Sequence, residues 1–344
     1  MPDPTSIFFI LTVTPSWWNV SSWMSWSVIV SMVLGLPTAW AMDLQDADAM
    51  REQYYSKLIL FGEYSMIFDA TALMVPLRRF SAQWCFASQL AAQGAAASNA
   101  SLLRFAEYLS NLDGMDNILD LERLHHELHY ELYLDSNVPS GYGLGSSGVL
   151  VAAVYDRYAL CKIDDMLQLK SLFGQMESFF HGSSSGIDPL QCYLNRPFRI
   201  TPQAVTLLPE DFMPANIRVF LADTGKKSNT KPLVQYFKNK RDDADYLEAF
   251  KTDYVPCVSA CIDHLTAGEK EAFFTSLRQL TDGQLRFLRP MITDDSIDLF
   301  LERPDFNIGF KISGSGGGGY VLGFTDDVEK TKEFMEGYEL LWVS

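Results

Sequence analysis

The chain has 344 residues, enough for two domains, and its 43 acidic against 27 basic residues give a formal net charge of −16. Such an acidic surface repels nucleic acid, so this class of partner is excluded and any phosphate site must be a local exception. The five cysteines form no C-x-x-C pair, which favours core packing over a metal or redox pair and indicates a reducing, cytoplasmic compartment.

Residues 1–50 differ in composition from the rest of the chain. They contain no Lys, Arg, His or Tyr, but they hold five of the seven tryptophans. Residues 23–41 are uncharged and about as long as a membrane span, yet no basic residue precedes Arg51. We therefore expect 1–50 to lie outside the working fold, which would start at Met42 or Met50. A membrane anchor or a cleaved signal peptide in this stretch is the alternative.

The first regular elements of the fold follow residue 54. Residues 57–61 form a short apolar run closed by Gly62, which predicts a buried strand with Lys57 at its head. Residues 70–76 predict a second apolar strand. Residues 87–112 are rich in alanine and then amphipathic, so they predict a helix.

Residues 128–137 alternate between apolar and polar side chains, which predicts a strand with one exposed face. The H-H-E-L-H run at 125–129 resembles a zinc motif but lacks the H-E-x-x-H spacing. A strand would also place these histidines on opposite faces. We therefore expect no metal site here.

A glycine-rich loop follows at 139–148, with the sequence P-S-G-Y-G-L-G-S-S-G. Glycines allow positive φ and a close approach of N–H groups to phosphate oxygens, and residues 149–161 predict a helix whose N-terminus would attract an anion. The Walker A pattern is absent. Residues 143–148 fit the dinucleotide pattern G-x-G-x-x-G, with Asp164 and Asp165 at the expected distance. However, residues 149–169 read as one helix without the second strand that this fold needs, and a simple turn is the other alternative.

Further along the chain, Glu177 ends a helical stretch and a Ser/Gly loop leads to Asp188, although an exposed polar turn would look similar. The pattern then predicts a strand at 217–222, a lysine-rich loop at 223–231 and helices over 243–288.

The last predicted elements are a hairpin and a helix. Two short strands at 310–312 and 320–324 flank a tip of glycines, which suits a close approach of backbone to a ligand. Asp326 or Asp327 is expected to cap a final helix that runs to Tyr338.

Four of these motifs together resemble the signature motifs of the GHMP small-molecule kinases, and most of all those of the mevalonate kinases. In chain order they are Lys57 with I-L-F-G-E at 59–63, the glycine loop at 139–148, H-G-S-S-S-G-I-D at 181–188, and K-I-S-G-S-G-G-G-G at 311–319. The resemblance implies an α+β fold of two domains. Residues 51–200 would form a ribosomal-protein-S5-like, ATP-binding domain, and residues 201–344 a ferredoxin-like α/β domain with the glycine hairpin.

The resemblance also implies roles for individual residues. Asp188 would accept or orient the proton of the substrate hydroxyl, with Lys57 beside it, while Ser147 and Glu177 would hold Mg²⁺. The implied ATP contacts are Pro139, Gly141, Gly143, Leu144, Gly145, Ser146, Ser147, Gly316 and Gly317. The implied substrate contacts are Glu63, Tyr64, Thr230 within Asn229-Thr230-Lys231, and Gly314.

Three positions depart from the family pattern. Tyr55-Ser56 replaces Pro-Gly before the lysine, Tyr64 replaces a histidine near the substrate, and residues 184–189 read S-S-G-I-D-P where P-S-G-x-D-N is usual. The positions that the family uses for phosphate and metal match its pattern, so they support kinase chemistry. The positions near the substrate depart from the pattern, so they do not define the acceptor alcohol.

The resemblance implies a cytoplasmic Mg·ATP-dependent kinase that phosphorylates the primary hydroxyl of mevalonate. The alternatives are another small alcohol (phosphomevalonate, homoserine or a sugar) or a non-catalytic nucleotide-binding relative. A galactokinase-like site would carry a different aspartate loop, which argues against a sugar. A homodimer is one oligomeric state that the resemblance allows. Contact with a membrane is expected only if residues 23–41 act as an anchor.

Overall fold

The computed structural model describes residues 53–68, 70–87, 94–228, 230–240 and 242–343, with the backbone alone at 230 and 231. The predicted outlying stretch 1–50, including residues 23–41, lies outside the described residues. Within the described ranges, no helix combines the length and the apolar character needed to cross a membrane.

The first half of the described chain is built on a sheet of five antiparallel strands. Its long second strand pairs with the first and the fourth strand through its N-terminal part, and with the third through its C-terminal part. The strands are β1 (Tyr54–Phe61), β2 (Ala72–Phe86), β3 (Leu132–Ser136), β4 (Phe198–Ile200) and β5 (Val205–Leu207).

Five helices accompany this sheet: α1 (Ala95–Ser110), α2 (Leu121–His129), α3 (Ser146–Tyr158), α4 (Met166–His181) and α5 (Ile187–Leu194). The N-terminal turn of α3 lies directly against that of α5. A Cβ on Gly148 would lie 2.9 Å from the carbonyl carbon of Asp188, so only glycine allows this approach. The beginnings of α3 and α5 are therefore brought together beside Lys57, which lies in the middle of β1 and not at its head as predicted, because the strand begins at Tyr54.

The second half is built on a four-stranded antiparallel sheet with the order β7-β8-β6-β9. Its strands are β6 (Arg218–Asp223), β7 (Ile308–Ile312), β8 (Tyr320–Thr325) and β9 (Leu340–Trp342). Its helices are α6 (Thr230–Lys240), α7 (Ala244–Ala249), α8 (Val255–Ala267), α9 (Lys270–Phe287), α10 (Ile297–Leu301) and α11 (Val328–Phe334). The predicted hairpin, with the glycines between β7 and β8, is confirmed.

The two halves share a core at the C-terminal end of β1. The ring of Phe61 stacks on that of Phe324 in β8, with 5.3 Å between ring centroids, and its edge faces Phe273 in α9. The change from one sheet to the other lies between Leu207 and Arg218. The predicted domain boundary after residue 200 stays a prediction.

The predicted strand at 128–137 is wrong in its first part. Helix α2 continues to His129, and β3 begins only at Leu132, after Glu131 with a φ of +61°. Leu124 and Leu128 are buried four residues apart, which is a helical period. Over so few residues, the spacing of apolar residues in a helix and their alternation in a strand look alike. The polar residues after Leu128 therefore suggested a strand where the helix continues.

The predicted single helix at 149–169 is also wrong, because two helices cover this region. After α3 the chain bridges back to the segment before α2: Asp120 N donates to Tyr158 O at 2.8 Å and Leu160 N to Ile118 O at 2.9 Å. Asp165 then caps α4. The acidic residue that fitted a dinucleotide fingerprint is thus a helix cap, and no strand separates α3 from α4 in residues 149–166, all of which are described.

The helical prediction for 243–288 holds, with a break at Gly268 between α8 and α9. Asp327 caps the last helix, as predicted, by accepting a hydrogen bond from Lys330 N at 3.1 Å. This helix ends at Phe334, four residues before the predicted end at Tyr338.

The cap of α4 leads to a first prediction. Asp165 Oδ1 accepts hydrogen bonds from Leu167 N at 2.9 Å and Gln168 N at 2.8 Å. Because these amides lack carbonyl partners in the helix, Asp165→Ala should lower the free energy of unfolding by about 1 kcal/mol. Urea denaturation followed by circular dichroism measures this difference. Asp164→Ala is the matched control, since no hydrogen bond among the described residues involves its side chain; equal losses in both variants would contradict the capping role.

Candidate functional site

The loop before α3 has the backbone geometry of an anion site. Gly141, Gly143 and Gly145 all have positive φ, at 83°, 72° and 78°, a region that other residues avoid. Gly145 is the N-cap of α3, and the first amide-to-carbonyl bond of the helix runs from Val149 N to Gly145 O at 2.9 Å. The N–H groups of the preceding helical residues, including Ser146 and Ser147, have no carbonyl partner within the helix. Such a helix start attracts phosphate.

Lys57 connects this loop to the first sheet. Its backbone N–H donates to Leu144 O at 3.3 Å, and its side chain lies along Gly145, where an added Cβ would be 2.8 Å from Lys57 Cγ. Glycine at 145 is therefore needed both for its φ and for the lysine stem. The ammonium ends 2.9 Å from Asp188 Oδ2.

Asp188 lies in the first turn of α5, behind the N-cap Gly186. The helix start favours a negative charge there, and the Lys57 ammonium compensates for it. The Asp188 side chain is 33% exposed, whereas that of Lys57 is 4% exposed. The carboxylate therefore remains open to a ligand while the lysine is covered by protein.

Ser147 and Glu177, to which the resemblance assigns the metal, are also adjacent. Ser147 Oγ donates to Glu177 Oε1 at 2.9 Å, and Ser184 Oγ donates to the other carboxylate oxygen. Glu177 is buried in α4. Burial, together with the negative charge of Asp188, raises the pKa of Glu177 to about 7, against an ordinary value of 4.5.

His181 and Ser184 belong to this cluster although they were not assigned a role from the sequence. His181 Nε2 lies 3.0 Å from Ser147 Oγ. Glu177 and His181 stand four residues apart on α4, so helical spacing could have placed both on one face. No sequence signal pointed to the bond between Ser184 and Glu177. This bond depends on the turn at Gly186, where a Cβ would meet Lys170 O at 1.9 Å.

The tip of the β7–β8 hairpin faces the glycine loop. Gly314, Gly316 and Gly317 all have positive φ, and a Cβ added to Gly143 would lie 3.8 Å from Gly314 Cα. Ser228 joins the two segments, because its N–H donates to Gly141 O at 3.1 Å and its hydroxyl donates to Gly316 O. The two glycine segments thus meet backbone to backbone.

The predicted substrate residues lie on the hairpin side of this junction. The Tyr64 hydroxyl donates to Ser315 O at 2.8 Å, and Glu63 forms a buried ion pair with Lys311 in β7. Thr230 is the first residue of α6, but its side chain and Asn229 lie outside the described residues. A substrate role for Glu63, Tyr64, Thr230 and Gly314 stays a prediction.

The structure therefore brings most of the predicted site residues to one place. Lys57 and Asp188 form one pair and Ser147 and Glu177 a second, both beside the start of α3, while Pro139 lies where β3 leads into the loop. No group of three or more His, Cys, Asp or Glu suited to a metal occurs among the described residues. A cation here would need oxygen ligands from a bound molecule or water in addition to the protein.

Comparisons with known proteins agree with this geometry. Residues 104–196 match the model of the GHMP kinases N terminal domain, a segment that includes the glycine loop, Glu177 and Asp188. A comparison with curated proteins finds no match.

Several solved structures share the fold at low sequence identity. Streptococcus pneumoniae phosphomevalonate kinase, in complex with phosphomevalonate and AMPPNP, has a TM-score of 0.59 and 18% identity over 84% of this chain and 97% of that chain. L. major mevalonate kinase in complex with R-mevalonate has a TM-score of 0.60 and 15% identity over 86% of this chain and 96% of that chain. Lactococcus lactis galactokinase complexed with galactose has a TM-score of 0.57 and 13% identity, covering 89% and 97%.

The TM-scores of these structures show that the fold is shared, whereas sequence identities this low leave the substrate open. Residues 104–196 are thus similar to the GHMP kinases N terminal domain, and the chain shares its α+β fold with solved kinase structures.

Proposed function

We propose that this protein is a Mg·ATP-dependent kinase that transfers the γ-phosphoryl group to the primary hydroxyl of mevalonate. The observation that carries the proposal is the 2.9 Å ion pair between Lys57 and Asp188, which lies beside Gly145 of the glycine loop. Phosphoryl transfer to an alcohol needs an acceptor for the hydroxyl proton, positive charge nearby and accurate alignment, with little covalent work by the protein.

In this proposal Asp188 acts on the hydroxyl and Lys57 acts on Asp188. The partly exposed carboxylate accepts or orients the hydroxyl proton, so that the oxygen can attack phosphorus. The buried ammonium holds the carboxylate in place and offsets the negative charge that gathers during transfer. The packing of the Lys57 stem on Gly145 keeps this pair beside the phosphate loop.

The glycine loop is suited to the triphosphate of ATP. Its three positive-φ glycines and the free N–H groups at the start of α3 present donors without side chains in the way. Gly314 and Gly319 of the hairpin lie against Gly143 and Tyr142 of the loop, so the hairpin would cover the phosphates from the other side. On the loop side, Gly141, Gly143, Gly145 and Ser146 would hold the nucleotide. The N–H groups of Gly316 and Gly317 already donate to Ser313 O at 3.2 Å and to Met291 O at 2.6 Å, so a nucleotide contact through these two glycines stays a prediction from the resemblance.

The residues present also fit Mg²⁺. Ser147 and Glu177 offer a hydroxyl and a carboxylate oxygen 2.9 Å apart, and hard oxygen donors are what Mg²⁺ prefers, with phosphates and water completing its shell. Glu177 is buried next to the negative charge of Asp188, an arrangement that a cation would relieve. When bound, Mg²⁺ neutralises phosphate charge, and the role of this chain is to hold it through Ser147 and Glu177.

Mevalonate is proposed as the acceptor because the four motifs resemble mevalonate kinases most, and because a mevalonate kinase is among the structures that share the fold. Phosphomevalonate is the second candidate, supported by the similar fold of a phosphomevalonate kinase. A non-catalytic relative would be expected to lack a charged site residue, whereas Lys57, Asp188 and Glu177 are all present. A cytoplasmic location and a homodimer stay expectations from the resemblance.

The first prediction from this proposed function concerns the substrate. Protein that starts near Met50 should release ADP from Mg·ATP in the presence of mevalonate, and more slowly with phosphomevalonate, homoserine or galactose. A coupled ADP assay with each alcohol measures this order. Turnover with another alcohol but not with mevalonate would contradict the substrate, and turnover with none would favour a binding protein.

The second prediction concerns the catalytic pair. Asp188→Asn removes the proton acceptor and Lys57→Met removes its partner, so each should lower kcat by on the order of 10² or more with little change in ATP affinity. Steady-state kinetics and calorimetric titration with an ATP analogue measure the two effects. Lys270→Met is a control, because this lysine pairs with Asp326 in the second half. Full activity in both site variants would refute the mechanism.

The third prediction concerns the pH dependence of the metal-free protein. Because the pKa of Glu177 is raised to about 7 by burial, the folded state binds this proton more tightly than the unfolded state does. The contribution of Glu177 to the free energy of unfolding therefore falls as pH rises from about 4.5 to about 7.

Glu177→Gln removes this ionisation, so the variant should match the wild type near pH 5 and exceed its stability at pH 8 by roughly 1–3 kcal/mol. Urea unfolding at several pH values tests this, with the exposed Glu333→Gln as control. A variant that is less stable than the wild type at pH 8 would show that Glu177 is better accommodated as a carboxylate than its burial indicates.

A further inference from the structure

The buried ion pair between Glu63 and Lys311 joins the two halves of the fold. Their side chains are 5% and 1% exposed, and 248 residues separate them in the sequence. Glu63 follows β1, the strand that carries Lys57, while Lys311 lies in β7 just before the glycine hairpin. The pair thus connects the strand of the catalytic lysine to the base of the hairpin.

Lys311 is held by more than its carboxylate partner. Its ammonium also donates to Ile312 O at 2.6 Å and lies 5.8 Å from the ring centroid of Phe61. Ile312 N donates to Gln284 Oε1 at 2.9 Å. The last residue of β7 is therefore fixed through both of its backbone polar groups, one by Lys311 and one by α9.

Tyr64 provides a second connection, at the hairpin tip. Its hydroxyl donates to Ser315 O at 2.8 Å, and its ring packs on Phe237 in α6 with 4.7 Å between centroids. Two consecutive residues after β1 thus hold the base and the tip of the same hairpin.

Stability alone does not account for a charge pair at this depth. Burial raises the pKa of Glu63 and lowers that of Lys311, although each charge opposes the shift of the other. Apolar residues of similar size often replace a buried ion pair with no loss of stability, whereas a charge pair specifies which groups must face each other. The pair is therefore better suited to fixing a geometry than to holding the fold together.

We propose that Glu63 and Lys311 are positioning residues that set the glycine hairpin at a fixed distance from the Lys57–Asp188 pair. This inference rests on the proposed function, since it assigns the hairpin to the phosphates and the pair to the acceptor hydroxyl. In this proposal the buried carboxylate of Glu63 acts through Lys311, which replaces the direct substrate contact that the resemblance implies for Glu63. Misplacement of reacting groups by about 1 Å can cost roughly 100-fold in rate, so a loosened hairpin should slow transfer more than binding.

The test replaces both charges at once with Glu63→Leu and Lys311→Met, so that no unpaired charge is left buried. We expect the double variant to unfold within a few degrees of the wild type. Its kcat should fall roughly 10- to 100-fold, while KM for ATP and for the alcohol changes less than about threefold. Hydrogen–deuterium exchange should become faster at the hairpin amides.

A second buried pair provides the matched control. Glu127 and Arg157 are 9% and 4% exposed and lie in the first half, with Arg157 near the far end of α3 from the glycine loop. The double variant Glu127→Leu, Arg157→Met removes one charge of each sign without touching the hairpin, and Arg123, which also pairs with Glu127, is 40% exposed and remains in contact with water. Its kcat and hairpin exchange should match the wild type.

The outcomes separate this inference from the proposed function. Wild-type kcat in the Glu63/Lys311 double variant would overturn the positioning role, and so would a loss of kcat without faster hairpin exchange, which indicates direct substrate contact. If the double variant does not fold, Glu63→Asp keeps both charges but retracts the carboxylate, and it should show the same fall in kcat and faster exchange. If the wild type phosphorylates no alcohol, the proposed function fails, and unchanged exchange would then refute the positioning role separately.

Discussion

The site depends on the contact between strand β1 and the glycine loop. The backbone of Lys57 bonds to Leu144, and its side chain needs the space that Gly145 leaves open. This packing carries a buried ammonium to Asp188 at the start of α5. One contact therefore fixes Asp188, Lys57 and the glycine loop relative to one another, and a Cβ at position 145 would disturb all three.

Glycines allow the other segments of the site to approach each other closely, because they have no side chains. Gly148 lets α3 approach α5, Gly186 lets its loop cross α4, and Gly143 faces Gly314 across the junction with the hairpin. At each point backbone lies against backbone. In the proposed function, N–H groups and a few lysines would bind the phosphates of ATP locally against a net charge of −16.

Local patterns predicted the elements well where one period was sustained. The C-terminal end of β1, the start of helix α3 and the glycine hairpin were recognisable from short runs next to glycines. The pattern failed at 128–131, because a run of so few residues does not distinguish a helical period from the alternation of a strand. It also failed after Tyr158, because the break between α3 and α4 is made by a bridge to Ile118 and Asp120, about forty residues earlier in the chain.

The glycine loop at 139–148 and the hairpin could be recognised from the sequence alone, because positive φ at glycine, helix starts and strand ends are local properties. Lys57, Ser147, Glu177 and Asp188 were indicated by the resemblance to the kinase motifs. The pairing of the charges became visible in the folded structure. Glu63 is paired with Lys311, 248 residues away, and Ser147 with both Glu177 and His181. Such pairings depend on how elements that are distant in the sequence pack against each other, and the local periodicity of the sequence does not contain this information.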